Sequence, residues 1–272
     1  MRLITFDSGG GPCAGRLEDG AVIPLCEPGE GGLGDLLRRG GDRTAQAGSA
    51  LAPDEVTLLP PVPDPGKIVC IGLNYRSHAE EQGADPPETP TFFAKYPNAL
   101  AAPGAEVKLP RYSKRVDYEA EVAFVIADRC RDVPESEAMV HVAGFTLLND
   151  LSARDYQFKT PQWMPGKVFD GAAPCGPSLV TPDEAGPHDR IEIALTLNGE
   201  EMQNGTTADL VHSIPALVAY LSLLMTLEPG DIVSTGTPAG VGSLRDPKVW
   251  LKPGDEVVVS SPQLGTLVTP LS

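Results

Sequence analysis

Three carboxylates stand at every second position in "KRVDYEAEVAFVIADR": Asp117, Glu119 and Glu121. The residues that follow, Val122 to Ile126, are apolar without a break and read as a buried β-strand. Side chains alternate across a strand, so positions two apart share a face at about 6.6–6.8 Å. A solvated strand face is the ordinary explanation for alternating acids, but the apolar continuation on both faces weakens it here. In a half-buried setting these like charges raise one another's pKa, and a divalent cation between them reverses that balance. A further carboxylate is available at the end of "VAGFTLLND", where Asp150 stands at a strand-to-helix change. Local pattern alone reads Asp150 as a strand terminator. Ser152 and Asp155, spaced like a capping box, predict a helix over about 152–158. Carboxylates without nearby Cys or His make a hard oxygen site, suited to Mg²⁺ or Mn²⁺, or Ca²⁺, over Zn²⁺.

A second group lies in "IGLNYRSHAEE". His78 and Glu81 are three apart, so one helical turn puts them on one face, and a carboxylate beside imidazole supports a general base. An exposed His on a polar helix is the alternative. The following "QGADPPETPTFF" reads as a polar, proline-rich loop suited to covering a pocket. Lys167 sits among Gly and Pro in "PGKVFDG", where it could hold a carboxylate or a developing oxyanion, or be a plain surface lysine. "STGTPAGVG" follows a strand but is not GxGxxG and leads into no helix. It is read as a loop of small residues that lets backbone and Thr hydroxyls approach a ligand. No GxSxG, Walker A or HExxH motif occurs. Cys175 has no local base and is read as core packing.

These residues need a scaffold, and the chain supplies mostly strands. Residues 1–62 form a small N-terminal α/β module, with hairpin strands around an Asp19-Gly20 turn and one short helix at "LGDLLRR". The proline-rich "LLPPVPDPGK" is a stiff extended connection to residues 63–272. That larger part is mainly β with peripheral helices (α+β), a mixed β-roll or sandwich. Its helices are expected near 76–82, 134–141, 152–158 and 214–226. "LEPGDIV" and "LKPGDEV" each read as a tight turn feeding a strand. The apolar run 214–227 is too short for a bilayer, which needs about 20 residues. Ser213 as N-cap and Pro215 in the first turn make it a core helix. A net charge of −16 argues against nucleic-acid or anionic-membrane partners. Five scattered cysteines and an opening stretch that reads as strand and turn point to a reducing cytoplasm.

Taken in order, "IGLNYxxHxxE", "FxK" (Phe93–Lys95), "DYExE", "NDxSARDxQ", "GKxFDG" and "TGTPxGVG" closely resemble the fumarylacetoacetate hydrolase family, over roughly residues 62–272. The N-terminal module is similar to the small domain of many bacterial members. The resemblance implies that Glu119, Glu121 and Asp150 bind Mg²⁺ or Mn²⁺. It implies that His78 and Glu81 form a water-activating dyad, with Lys167 stabilising the expelled enolate. Lys95, Gln157 and Thr237 would line the pocket and hold substrate oxygens. Asp117 is expected to have a supporting duty, and Arg154 and Asp155 to brace the loop. The expected activity is hydrolysis of a carbon–carbon bond in a 1,3-diketo or 2-oxo acid. The alternative is isomerisation or decarboxylation of a hydroxymuconate-type diacid in aromatic catabolism. A homodimer is implied. One departure stands out. Short-keto-acid members read G-R-N-Y, whereas this chain has Leu73 in that place, more like the 2-hydroxyhepta-2,4-diene-1,7-dioate isomerase-like members.

Overall fold

A computed structural model describes all of residues 1–272. Eleven strands form one mixed sheet. Its central path runs Ala21–Pro24, Pro12–Glu18, Arg2–Asp7, Ala173–Val180, Val142–Asn149, Ala120–Ile126, Ile232–Ser234, Ile68–Gly72 and Thr91–Lys95. A four-stranded antiparallel sheet (Glu200–Thr206, Glu192–Leu197, Glu256–Ser261, Gly265–Pro270) contributes alternate side chains to the same core. The helices are short and peripheral. The expected mainly-β α+β architecture is what the chain adopts.

The N-terminal strands are hydrogen-bonded into the main sheet, because Arg2–Asp7 pairs antiparallel with Ala173–Val180. Leu3, Ile4, Phe6, Leu33 and Leu36 join one buried cluster with the central strands. The connection also takes part in the sheet: Thr57–Leu59 pairs with Arg2–Asp7, and Val62 is fully buried.

Turn chemistry behaves as the residues dictate. Asp19 and Gly20 both adopt positive φ, as a two-residue hairpin turn between right-twisted strands requires. The two Pro-Gly-Asp segments repeat one device. Asp231 Oδ2 accepts the Glu228 N–H at 2.8 Å, and Asp255 Oδ2 accepts the Lys252 N–H at 2.9 Å. Helix Ile214–Leu224 begins at Ser213, whose Oγ accepts the Ala216 N–H, and buries Leu217, Val218 and Leu221. No helix is long and apolar enough to cross a membrane.

Two local expectations are corrected. The single strand expected through Asp117, Glu119 and Glu121 is broken into Val116–Asp117 and Ala120–Ile126, the first pairing with Ser152–Ala153 in a separate small sheet. Ser152 and Asp155 do not make a capping box. Ser152 is a strand residue, the helix Arg154–Gln157 starts after Ala153 without a side-chain cap, and Asp155 accepts the Ser113 hydroxyl instead. In addition, the loop expected over 82–93 gives way to a strand at Thr91.

Candidate active site

The antiparallel register sets the site. Asn149 faces Ala120, and Leu148 faces Glu121. One step further along the ladder, Asp150 lies opposite Glu119 and donates its backbone N–H to the Glu119 carbonyl at 2.9 Å. Glu121 shares a face with Glu119, and cross-strand neighbours lie close together, so the three carboxylates converge. Oxygens of Glu119, Glu121 and Asp150 all fall within 4.8 Å of one another, and all three residues are buried.

Buried cations surround two of the three. Lys167 Nζ lies 2.6 Å from Glu119 Oε2 and 2.8 Å from Asp150 Oδ2. Arg154 Nη2 lies 2.7 Å from Glu119 Oε1 and 2.8 Å from Asp117 Oδ2. Lys95 Nζ lies 2.7 Å from Asp150 Oδ1. Burial alone would raise the Glu119 carboxyl, but Arg154 and Lys167 hold it well below the carboxylate range. Burial likewise opposes the Lys167 charge, yet Asp150 and Glu119 keep its ammonium above the ordinary value. Glu121 differs. Its Oε2 accepts from the Ser234 hydroxyl and the Gly236 N–H, and no cation pairs with it. Burial, then the Asp150 and Glu119 charges, push its carboxyl well above the ordinary range. Four buried carboxylates, Asp117 included, thus face three buried cations, and Glu121 is the one left without a counter-charge. The donor set is oxygen-only and one positive charge short. It fits a hard divalent ion held by Glu119, Glu121 and Asp150.

Helix Arg76–Gln82 places His78 on the same cavity. His78 Nδ1 lies 3.1 Å from Glu81 Oε2, whose other oxygen accepts the Gly240 N–H at 2.9 Å. Gln82 Nε2 is 2.7 Å from His78 Nε2. An amide nitrogen donates, so Nε2 accepts and the ring proton lies on Nδ1 towards Glu81. In this arrangement Glu81 accepts from Nδ1, and the Nε2 lone pair is held by Gln82.

Lys167 is delivered by the turn Met164–Gly166. A Cβ on Gly166 would stand 2.5 Å from the Ala153 carbonyl oxygen, so only glycine lets this turn pack against the helix that carries Arg154 and Gln157. Gln157 and Thr237 line the cavity. Arg154 Nη1 donates to Gln157 Oε1 at 2.9 Å. Thr237 donates to the Ala120 carbonyl and accepts from Gln203. Lys95 stands apart from this lining. Its Nζ is spent on the carbonyls of Lys167 and Ala172 and on Asp150, which places it behind the carboxylates. Asp117 turns away to Arg154 and the N–H groups of Gly242 and Ser243. Cys175 is fully buried, and burial pushes its thiol up to about 12.

Gln203, Phe158 and Trp163 escaped the sequence reading, whereas Phe93 and Leu73 stand in stretches it singled out. Gln203, on the second sheet, ties the Ala120 N–H to Thr237 and Pro238. Phe93, Phe158 and Trp163 wall the cavity, with Phe93 and Trp163 edge to face at 5.8 Å. Leu73 lines it in a left-handed conformation, φ 54°, which is costly for a branched side chain. Aromatic type alone does not reveal which core-like residue faces a pocket.

A family model described as fumarylacetoacetate (FAA) hydrolase C-terminal matches residues 67–272. Human mitochondrial oxaloacetate tautomerase is 43% identical over 216 residues, covering 79% of this chain and 69% of that protein. The solved fumarylacetoacetate hydrolase from Exiguobacterium antarcticum superposes with a TM-score of 0.90 at 31% identity, covering 100% of this chain and 99% of that one. A 2-hydroxyhepta-2,4-diene-1,7-dioate isomerase from Mycobacterium marinum gives a TM-score of 0.83 at 31% identity, covering 100% and 98%.

Proposed function

The chain belongs to the fumarylacetoacetate (FAA) hydrolase family, and on that premise we propose that it interconverts keto and enol forms of a 2-oxo dicarboxylic acid of the oxaloacetate class, with a divalent cation bound. The observation that carries the reading is the meeting of the buried trio Glu119, Glu121 and Asp150 with the His78–Glu81 pair on one cavity. The similarity to an oxaloacetate tautomerase supports the substrate class. It outweighs the expectation that Leu73, by replacing an arginine, disfavours short keto acids.

Glu119, Glu121 and Asp150 would hold Mg²⁺ or Mn²⁺, which supplies Lewis-acid polarisation of the 2-oxo group. His78 Nε2, freed from Gln82, removes a proton from the carbon beside the keto group. The C–H pair becomes the new carbon–carbon π bond, and the keto oxygen becomes the enol oxygen. Glu81 stabilises the imidazolium that results. The carbonyl π pair moves onto the oxygen, which takes a proton from that imidazolium or from water to complete the enol. Because the imidazolium exchanges with water, the reverse direction returns a solvent-derived proton to carbon. The Lys167 ammonium stabilises negative charge developing on the oxygen. Gln157 and Thr237 help to orient the acid, and Lys95 holds Asp150 in place.

A second reading keeps the site and changes the reaction. The family's hydrolase description and the base-like His78 favour hydrolytic cleavage of a 1,3-diketo acid. There His78 takes a proton from water, the oxygen adds to the distal carbonyl, and the carbon–carbon pair departs on an enolate that is then protonated. The likeness to a heptadienedioate isomerase adds a double-bond shift in a longer diacid. A panel of oxaloacetate, acylpyruvates and hydroxymuconate-type diacids, with Mg²⁺ or Mn²⁺, followed by mass spectrometry for hydrolysis and by enol ultraviolet absorbance and proton NMR for tautomerisation and double-bond shift, separates these. Tautomerisation and isomerisation conserve mass, whereas hydrolysis adds water and gives two products. Two products from an acylpyruvate with no catalysed enol–keto conversion would replace the first reading by the second.

A further inference from the structure

Two of the five cysteines meet in the N-terminal hairpin. Cys13 and Cys26 are 13 residues apart, so no CxxC spacing marks them in the sequence, yet their Sγ atoms lie 3.0 Å from each other. The antiparallel ladder accounts for this. Gly15 pairs with Pro24, the Leu25 N–H donates to the Ala14 carbonyl at 2.8 Å, and one step further Cys13 stands opposite Cys26. Opposed Cα atoms in such a ladder lie about 4.5–5.5 Å apart, within the span of about 4.4–6.8 Å that a disulfide bridges. The chain beyond Cys26 is tied down as well. The Gly29 and Gly31 N–H groups donate to the Pro12 carbonyl, and the Ala14 N–H donates to the Gly31 carbonyl. The backbone therefore holds the two sulfurs together before any bond joins them. The other cysteines face carbon side chains: Cys70 stands opposite Phe93, Cys175 opposite Leu148 and Cys130 opposite Leu227.

The two thiols differ. Cys26 Sγ also accepts from the Ala14 N–H at 3.1 Å, which favours negative charge on that sulfur. Burial, with Cys26 beside it, pushes the Cys13 thiol up to about 12. Both sulfur-bearing residues line a cavity of about 220 Å³ walled by Phe6, Pro24, Pro28 and Leu51. Glu27 is the one charged residue on it and repels anions, so a small neutral oxidant suits the site.

We propose that Cys13 and Cys26 form a reversible disulfide site, oxidised by hydrogen peroxide, that clamps the N-terminal hairpin. The Cys26 thiolate attacks one peroxide oxygen and the O–O bond breaks. Cys26 becomes a sulfenic acid, and the hydroxide released takes up the Cys26 proton as water. Cys13 then gives up its own proton, its sulfur attacks the Cys26 sulfur, the S–O bond breaks, and a second water leaves. Two electrons pass from the sulfur pair to the peroxide, and a dithiol reductant returns them. The bond closes a loop of about 14 residues and so restricts the unfolded chain.

The test exposes the protein to hydrogen peroxide, blocks the remaining thiols under denaturing conditions and maps the tryptic peptides. Arg16 lies between the two cysteines, so their disulfide joins peptides 3–16 and 17–38. The wild type should lose two of its five thiols, yield that linked pair and regain all five with dithiothreitol. On oxidation its melting temperature should rise by about 6–12 °C, as closing a loop of this length implies. Cys13→Ser should give no linked pair and should accumulate a sulfenic acid on Cys26 that dimedone traps. Indiscriminate oxidation of the five cysteines, or thiol loss without the linked pair, overturns the disulfide site, and the wild-type map reads this whether or not the variant folds. A linked protein that melts no higher than the reduced one overturns the clamp.

Discussion

Glu119 and Glu121 are two residues apart on one face, yet only Glu119 is neutralised: Lys167 Nζ lies 2.6 Å from it, while Glu121 meets a hydroxyl and an N–H. The two carboxylates should therefore respond oppositely to the same substitution. Glu119→Gln leaves Lys167 and Arg154 short of a buried partner and should cost about 3 kcal/mol. At roughly 2–4 °C per kcal/mol for a large domain, the metal-free protein should melt about 6–12 °C lower. Glu121→Gln removes a group that burial and its neighbours already penalise, so the metal-free protein should melt at the same temperature or higher. Calorimetry in EDTA reads both. Equal losses would show that the charges are not partitioned in this way.

The same asymmetry gives a pH dependence. Glu121 holds its proton in the folded protein to a pH above the ordinary carboxylate range. Between the ordinary and the raised value the folded state binds more protons than the unfolded one. The Glu121 contribution to stability is then fully present below the ordinary value and is lost as pH rises through the raised one. A cation competes with that proton, so Mn²⁺ affinity should strengthen with pH across this window and binding should release protons. Titrations in buffers of different ionisation enthalpy count them. Glu121→Gln should abolish the dependence attributable to this site, and Mn²⁺ at 100 times its Kd should stabilise the wild type by about 2.7 kcal/mol.

His78→Ala should lower turnover by about 10²–10⁴ while leaving Mn²⁺ affinity intact, because the imidazole serves as base and not as ligand. Glu81→Gln should lose less, since the amide still anchors the ring and the helix still packs. Full rate in His78→Ala would move the base elsewhere.

Gly166→Ala should behave as a site mutation without touching any charged group. Its Cβ would meet the Ala153 oxygen at 2.5 Å and the Gln157 nitrogen at 2.6 Å, neither of which yields easily. Overpacking of this kind costs about 1–3 kcal/mol. The displaced turn carries Lys167, so activity should fall with stability. A variant that keeps wild-type Tm and rate would show that this turn does not set the Lys167 position.

Much of this site is legible as sequence because its chemistry is written in local spacing. Glu119 and Glu121 alternate, His78 and Glu81 lie one helical turn apart, and Pro-Gly-Asp builds the same turn twice. What was hidden depends on tertiary pairing. The break after Asp117 follows from its role as acceptor for Arg154, Gly242 and Ser243, a set drawn from two distant segments. Gln203 reaches the site from the other sheet, where nothing in "EEMQNGT" marks it. Lys95 shares the motif neighbourhood of pocket residues, but its place behind Asp150 is set by long-range backbone acceptors at 167 and 172.

The central claim is that His78, beside a cation held by Glu119, Glu121 and Asp150, moves a proton next to the keto group of a 2-oxo acid. Proton NMR in D₂O measures it directly, as the rate of deuterium incorporation beside the keto group of a 2-oxo diacid above the spontaneous rate. Exchange should be fast with Mg²⁺ or Mn²⁺, return to the spontaneous rate in EDTA and in His78→Ala, and recover in the wild type when the cation is restored. Exchange that persists unchanged in EDTA and in His78→Ala would contradict it.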